Sequence, residues 1–174
     1  AAFAKVWSKD PHTYYDVNVA GTVNVMECAK KCGVKKMVFT SSGSTLNSSS
    51  YGLVDEDDAV MHNFTNDYER SKFAAESIVK DFVIKGQHIV IVNPTRVYGP
   101  GLSADSGALN NMIFRYLLGK WRVIPGNGNS IGNFVFIDDV VKGHLLAMEN
   151  GKSGARYLIG GENATFNDFF AQLK

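Results

Sequence analysis

A chain of 174 residues with 45% hydrophobic content can bury one domain, or one and a half, around its own core. Its formal net charge of +1 gives no electrostatic reason to expect nucleic acid or another polyanion as a partner. No apolar run approaches the roughly 20 residues that span a bilayer, and no charged-then-apolar leader opens the sequence, so no membrane segment or secretory signal is expected. Cys28 and Cys32 stand four apart without a histidine at ligand spacing, which reads as two free thiols in a reducing cytoplasm, with no metal site.

In chain order, Asp10-Pro11 opens the first predicted helix, a capping carboxylate followed by proline at the first helical position. Val17, Ala20, Val23, Val25, Met26 and Ala29 follow near helical spacing, and Gly33 closes the helix behind Lys30 and Lys31. Gly21 within it costs about 1 kcal/mol relative to alanine, which points to close backbone packing there. Lys36 to Ser41 reads as a strand whose apolar middle suits a parallel strand buried on both faces. A Ser/Gly/Asn-rich loop from Ser41 to Gly52 and an acidic patch from Asp55 to Asp58 come next. The second helix, about Asn66 to Val83, is expected to bury Phe73, Ala74, Ile78, Val79 and Phe82. His88 to Asn93 is another apolar strand, and Pro94 is expected to stop it.

Beyond Pro94 the expected elements are a turn at Tyr98 to Gly101, a helix from Ala108 to Leu118, and a glycine-rich loop from Pro125 to Asn129. A strand from Asn133 to Ile137 then leads into a helix capped by Asp139, running to about Glu149. A short strand from Arg156 to Ile159 precedes a last helix behind a Thr165–Asp168 capping box. Helix, strand, helix, strand with short connections is the order of a parallel α/β sheet with right-handed crossovers. Two or three parallel strands cover their faces poorly, and no strand or glycine-rich turn precedes Ala1, so a front portion and a tail are expected to be missing.

Tyr68 and Lys72 lie one turn apart in the second helix, and Ser41-Ser42 end the strand before it. The spacing alone says little, since Tyr116 and Lys120 repeat it. Context separates the two pairs. In an open parallel sheet, ligands bind beyond the carboxyl ends of the strands, where Ser41 and Ser42 lie, and Tyr116 has no such serine before it. A free phenol has a pKa near 10, and an ammonium within about 4–6 Å should lower it by a unit or more. Ser42 could hydrogen-bond the oxygen that receives the proton. No side chain can move a hydride, so a nicotinamide cofactor must supply it. Without the helix pair, the serines would read as turn residues.

Asp16-Val17-Asn18-Val19-Ala20-Gly21-Thr22-Val23-Asn24, Val38-Phe39-Thr40-Ser41-Ser42-Gly43, Tyr68-x-x-Ser71-Lys72 and Asn93-Pro94-Thr95-Arg96-Val97-Tyr98-Gly99-Pro100 resemble the extended short-chain dehydrogenase/reductases. Phe134 to Val140 and Gly160 to Asn163 continue the match. Within that superfamily the chain is most similar to the dihydroflavonol-reductase-like, farnesol-dehydrogenase-like members of the NAD-dependent epimerase/dehydratase group. The resemblance implies a Rossmann-type parallel sheet flanked by helices, carrying NAD or NADP. Residues 1–100 would form the C-terminal half of that domain. Residues 101–174 would form part of a small α+β substrate region, with 133–150 packing back on the sheet.

By position, Ser42, Tyr68 and Lys72 match the family's catalytic residues. Ala1 and Ala2 match a motif lining the cofactor, Pro94 and Val97 the segment that meets the nicotinamide, with Ser41, Tyr68 and Lys72 as further cofactor contacts. Asn18 matches a helix asparagine near the site, and reads equally well as a polar residue bonding the backbone. The family's glycine-rich pyrophosphate turn and the residue that chooses NAD or NADP are missing, so a protein that began at Ala1 would be expected to bind the cofactor very weakly.

The expected partner is a small-molecule substrate. The favoured reaction is hydroxyl/ketone redox on a fairly apolar compound, with nucleotide-sugar epimerisation or dehydration, or a catalytically silent NAD(P)-binding sensor, as alternatives. Sugar-nucleotide members often carry an arginine just before the late strand. Here Gly132-Asn133 stand there, and no arginine lies between Arg122 and Arg156. The segment 102–131 is expected to roof the substrate pocket. In similar proteins the helices from Pro11 and around Tyr68 commonly pair, which leaves a homodimer open.

Overall fold

The structure, a computed structural model, describes residues 2–5, 7–46, 54–56, 64–101, 108–121, 123–124 and 126–173. Ala1, Asp57, Asp58, Pro125 and the 102–107 part of the expected roof lie outside the described residues.

Three parallel strands form the first sheet in the order β1 (Met37–Thr40), β2 (Ile89–Pro94), β5 (Arg156–Ile159). Helices cover both faces. On one lie α2 (Gly21–Lys31) and α3 (Asp67–Ile84), on the other α5 (Ile137–Asn150). Alternation along β2 explains this layering: Ile89 and Ile91 pack with Met26, Val79 and Phe82, while Val90 and Val92 pack with Ala147. Every β2 residue is buried. β1 is only half-buried, contrary to its expected two-sided burial, because it forms an edge of the described sheet.

A second, mixed sheet takes β3 (Arg96–Tyr98), β4 (Ile131–Phe136) and β6 (Glu162–Thr165), with β4 parallel to β3 and antiparallel to β6. Helices α4 (Ala108–Leu117) and α6 (Phe166–Ala171) complete this part. Pro94 does not end the chain's extended course. It closes β2, and one residue later β3 begins in the other sheet. A proline can end a strand where no further ladder N–H is needed, and here Thr95 N–H takes over, donating to the Ile159 carbonyl at 3.1 Å.

The first helix also departs from its expected regularity. α1 (His12–Tyr15) runs through a π-helical turn (Asp16–Ala20) into α2. Gly21 follows that turn, and a Cβ there would meet only the Asp16 carbonyl at 3.7 Å, so no close packing demands the glycine. Asp139 does not cap α5; it stands in the first turn beside Asp138, behind Phe136 at the N-cap position. The capping box before α6 is present, with Thr165 Oγ1 accepting from the Asp168 N–H at 3.0 Å.

The candidate active site

The site is built where β1, β2 and α3 converge. The Ser41 N–H donates to the Val92 carbonyl at 2.8 Å, extending the β1–β2 ladder to the serine pair. The chain then turns sharply through a 3₁₀ turn at Gly43–Thr45, which presses against the end of β2. A Cβ on Gly43 would sit 3.2 Å from the Pro94 carbonyl and 3.3 Å from Thr95 Cα, so glycine permits this close approach. Ser42 and Pro94 are thereby brought to one place.

From α3 come Tyr68 and Lys72. Asn66 caps the helix, its side chain accepting from the Glu69 N–H at 2.9 Å. Lys72 is 4% exposed, and its ammonium donates to the Thr40 carbonyl at 2.8 Å while lying 4.7 Å from the Phe39 ring centre. Burial lowers its pKa from 10.5 to about 8, against the opposing pull of the Glu76 carboxylate. For Tyr68, burial raises the phenol above its ordinary value of 10, the facing Ser42 hydroxyl works the other way, and Glu69 adds to the rise. The expected lowering of Tyr68 by Lys72 is therefore not found. Desolvation of the phenolate dominates, and the ammonium is directed at the strand-end carbonyl instead.

Asn18, in the middle of the π-helical turn, is 2% exposed and all of its amide is engaged. Its Oδ1 accepts from the Phe3 N–H at 2.8 Å, and its Nδ2 donates to the Phe3 carbonyl at 3.1 Å and to Ser71 Oγ at 2.9 Å. Ser71 Oγ in turn donates to the Tyr68 carbonyl at 2.8 Å. Asn18 thus braces the segment containing Ala2 against the Tyr68 turn of α3. Ala2 itself is exposed, Pro94 is buried and Val97 half-buried.

Three polar groups here have bonding capacity to spare among the described residues. Ser41 Oγ and Asn93 Oδ1 are buried with no hydrogen-bond partner, and the Lys72 ammonium makes one of its three possible hydrogen bonds. Cys28 and Cys32 are exposed and unbonded.

Residues 1–160 match the profile of the NAD-dependent epimerase/dehydratase family. The chain belongs to that family. It is 34% identical over 99% of its length to a putative dihydroflavonol 4-reductase of Synechocystis sp., covering 51% of that protein. It is likewise 34% identical over its whole length to the sterol demethylase protein B of Methylococcus capsulatus, covering 52% of it. Among solved structures, the UDP-glucose 4-epimerase of Thermotoga maritima with UDP-glucose superposes with a TM-score of 0.87 at 28% identity, over 100% of this chain and 58% of that one. The chain spans about half the length of the curated relatives it matches.

The sequence reading missed a buried polar cluster beneath the candidate site. Glu76, 1% exposed on α3, accepts through Oε1 from Thr45 Oγ1 and Asn93 Nδ2, both at 2.8 Å, and its Oε2 faces Arg156 Nη1 at 3.4 Å. Asn93 Nδ2 also reaches the Ser42 carbonyl at 3.0 Å. Helical periodicity carried the signal: Lys72, Glu76 and Val79 share one face of α3. The repeated Tyr116/Lys120 spacing has a packing role, with Tyr116 against Phe170 at 4.7 Å and Lys120 exposed beyond α4.

Proposed function

We propose that this chain carries the proton-transfer apparatus of an NAD(P)-dependent oxidoreductase that interconverts a hydroxyl and a ketone on a small, fairly apolar substrate, with Ser42, Tyr68 and Lys72 as its catalytic residues. One observation carries the reading. The Ser42 hydroxyl faces the half-buried Tyr68 phenol, and the Lys72 ammonium one turn on is bonded to the same strand end.

Burial keeps Tyr68 protonated to high pH, as a proton donor to a carbonyl oxygen requires. Ser42 donates a second hydrogen bond to that oxygen and so stabilises the charge developing there. The dinucleotide, when bound, supplies the hydride. Ser41 Oγ and the two spare N–H groups of Lys72 suit the hydroxyls of its ribose, and Ala2, Pro94, Val97 and Tyr68 complete its proposed contacts, with Ala1 on its sequence match.

A second reading, a nucleotide-sugar epimerase or dehydratase, has Arg96 in its favour. No arginine stands between Arg122 and Arg156, yet the Arg96 guanidinium lies over Gly132, where a Cβ would come within 2.7 Å of Nη1. A guanidinium there could grip a diphosphate.

Cofactor turnover by the full-length protein separates the readings. Net NAD(P)H consumption with ketones supports the first, and conversion of a UDP-sugar without net change in NADH supports the second. Turnover of neither class sinks both and leaves a silent NAD(P)-binding protein.

A further inference from the structure

Glu76 is a buried carboxylate to which the catalytic scheme above gives no part. Three protons, one on Thr45 and two on Asn93, are shared among close contacts to Glu76 Oε1, the Ser42 carbonyl and Thr45 Oγ1 itself. Glu76 is the side-chain acceptor toward which this cluster converges. The two donors it collects are the same ones that hold the Ser42 carbonyl, with Thr45 Oγ1 at 2.8 Å and Asn93 Nδ2 at 3.0 Å. On its far side, Arg156 from β5 supplies the counter-charge and anchors its own Nη2 on the Glu56 carbonyl at 3.0 Å. One carboxylate therefore ties together α3, the end of β2, β5 and the turn that presents the Ser42 hydroxyl.

We propose that Glu76 is a positioning residue for the Ser42–Tyr68–Lys72 site, holding the Ser42 turn at a fixed height above α3 through Thr45 and Asn93. The inference rests on the functional reading given above. Glu76 also lies one helical turn beyond Lys72, where its charge favours the ammonium against the desolvation that burial imposes. Among the described residues, the other ionisable groups around Lys72 and Glu76 are Arg156 on β5, Tyr68 on α3 and His144 on α5, the last bonded to Thr40 Oγ1 at 2.9 Å. Thr40, Ser42, Thr45 and Asn93 meet the pair from β1, the turn and β2 as neutral groups. Losing the carboxylate should both loosen the Ser42 turn and let Lys72 give up its proton at lower pH.

The test compares Glu76→Gln, Thr45→Val, Thr45→Ser and Tyr68→Phe in the full-length protein, by kcat, KM and the pH profile of kcat/KM. Glu76→Gln should lower kcat about tenfold or more, the scale set by small misplacements of catalytic groups, with KM little changed. The basic limb of its profile should move down by about one pH unit. Thr45→Val should lower kcat, and Thr45→Ser, which restores the hydroxyl, should recover most of the loss. A folded Glu76→Gln protein with the wild-type kcat and basic limb overturns the proposal. If Glu76→Gln does not fold, a Thr45→Val protein of normal kcat overturns it. If Tyr68→Phe stays active, the functional reading falls and takes this inference with it. An inactive Tyr68→Phe alongside unchanged Glu76 and Thr45 variants removes this inference alone.

Discussion

At the ends of β1 and β2 the buried groups are polar and most of them are paired, while around β3, β4 and β6 they are aromatic rings. Glu76, Thr45, Asn93, Asn18 and Ser71 sit at the first place, each with a hydrogen-bond partner at 2.8–3.0 Å. At the second, Phe134 stacks on Phe169 at 4.4 Å, Tyr98 meets Phe136 at 5.5 Å, and Arg96 lies over Phe134 and Phe166. A buried polar group is satisfied in few arrangements and is costly to leave unpaired, so the first region specifies one geometry. Apolar packing is non-directional and tolerates volume-conserving change, so the second region is stable without fixing positions as tightly. The proposed chemistry rests on the part held by directional bonds, and the part expected to contact substrate rests on the part held by apolar packing.

The contrast can be broken most sharply at Tyr68. Tyr68→Phe should cut turnover by about 10²–10⁴, the scale of losing a general acid, while the thermal midpoint stays near wild type; an active variant would refute the assignment. In the aromatic region the effects should invert. Phe134→Ala, at a 4% exposed ring, should cost about 3–5 kcal/mol in denaturant unfolding yet leave the pH dependence of any residual activity unmoved.

Lys72 joins the two kinds of effect in one residue. Its folded pKa of about 8 lies below the ordinary 10.5, so between those values the unfolded chain binds more protons and stability rises with pH. The cost of burying the ammonium is complete below about pH 8 and is gone by about 10.5. Lys72→Met should therefore stabilise the fold at pH 7 by on the order of 1–3 kcal/mol, a gain that fades above pH 8, while abolishing activity. In the unmutated protein, turnover should fall as pH rises through about 8. The smallest expected effect is at Thr165, where alanine removes one arm of a capping box at the edge of the second region and should cost about 1 kcal/mol with no change in kcat.

The same contrast explains what could be read from the sequence. Apolar runs such as Ile89–Val92 announce a buried strand because hydrophobic burial depends on composition alone, and β2 is found within a residue of its expected span. The Tyr68–Lys72 helix was legible from its spacing and its place after a serine-ended strand. Of its buried face, Val79 and Phe82 were legible, while Phe73, Ala74 and Ile78 are only half-buried. Ser71, Lys72 and Glu76 were not legible, because they are residue types that usually face water and only their partners across the fold make burial tolerable. β3 and β6 escaped notice because Arg96–Tyr98 is three residues long and Glu162–Thr165 carries little apolar character. The π-helical turn left no mark, since its residues have ordinary helical composition.

That turn has a consequence for how this segment can change over generations. Tyr14, Asn18, Thr22 and Met26 all point inward at intervals of four, and in a regular α-helix each such step would drift about 40° around the axis. The widened turn at Asp16–Ala20 absorbs part of that drift and keeps the four on one line. A turn of this width holds one residue more than the α-helical turn it replaces, so deleting one residue within it would restore a regular helix and leave the faces on either side nearly where they are. The same deletion in the regular stretch of α2 would swing everything beyond it by about 100°. One-residue gaps should therefore be better tolerated within Asp16–Ala20 than in the helix that follows it.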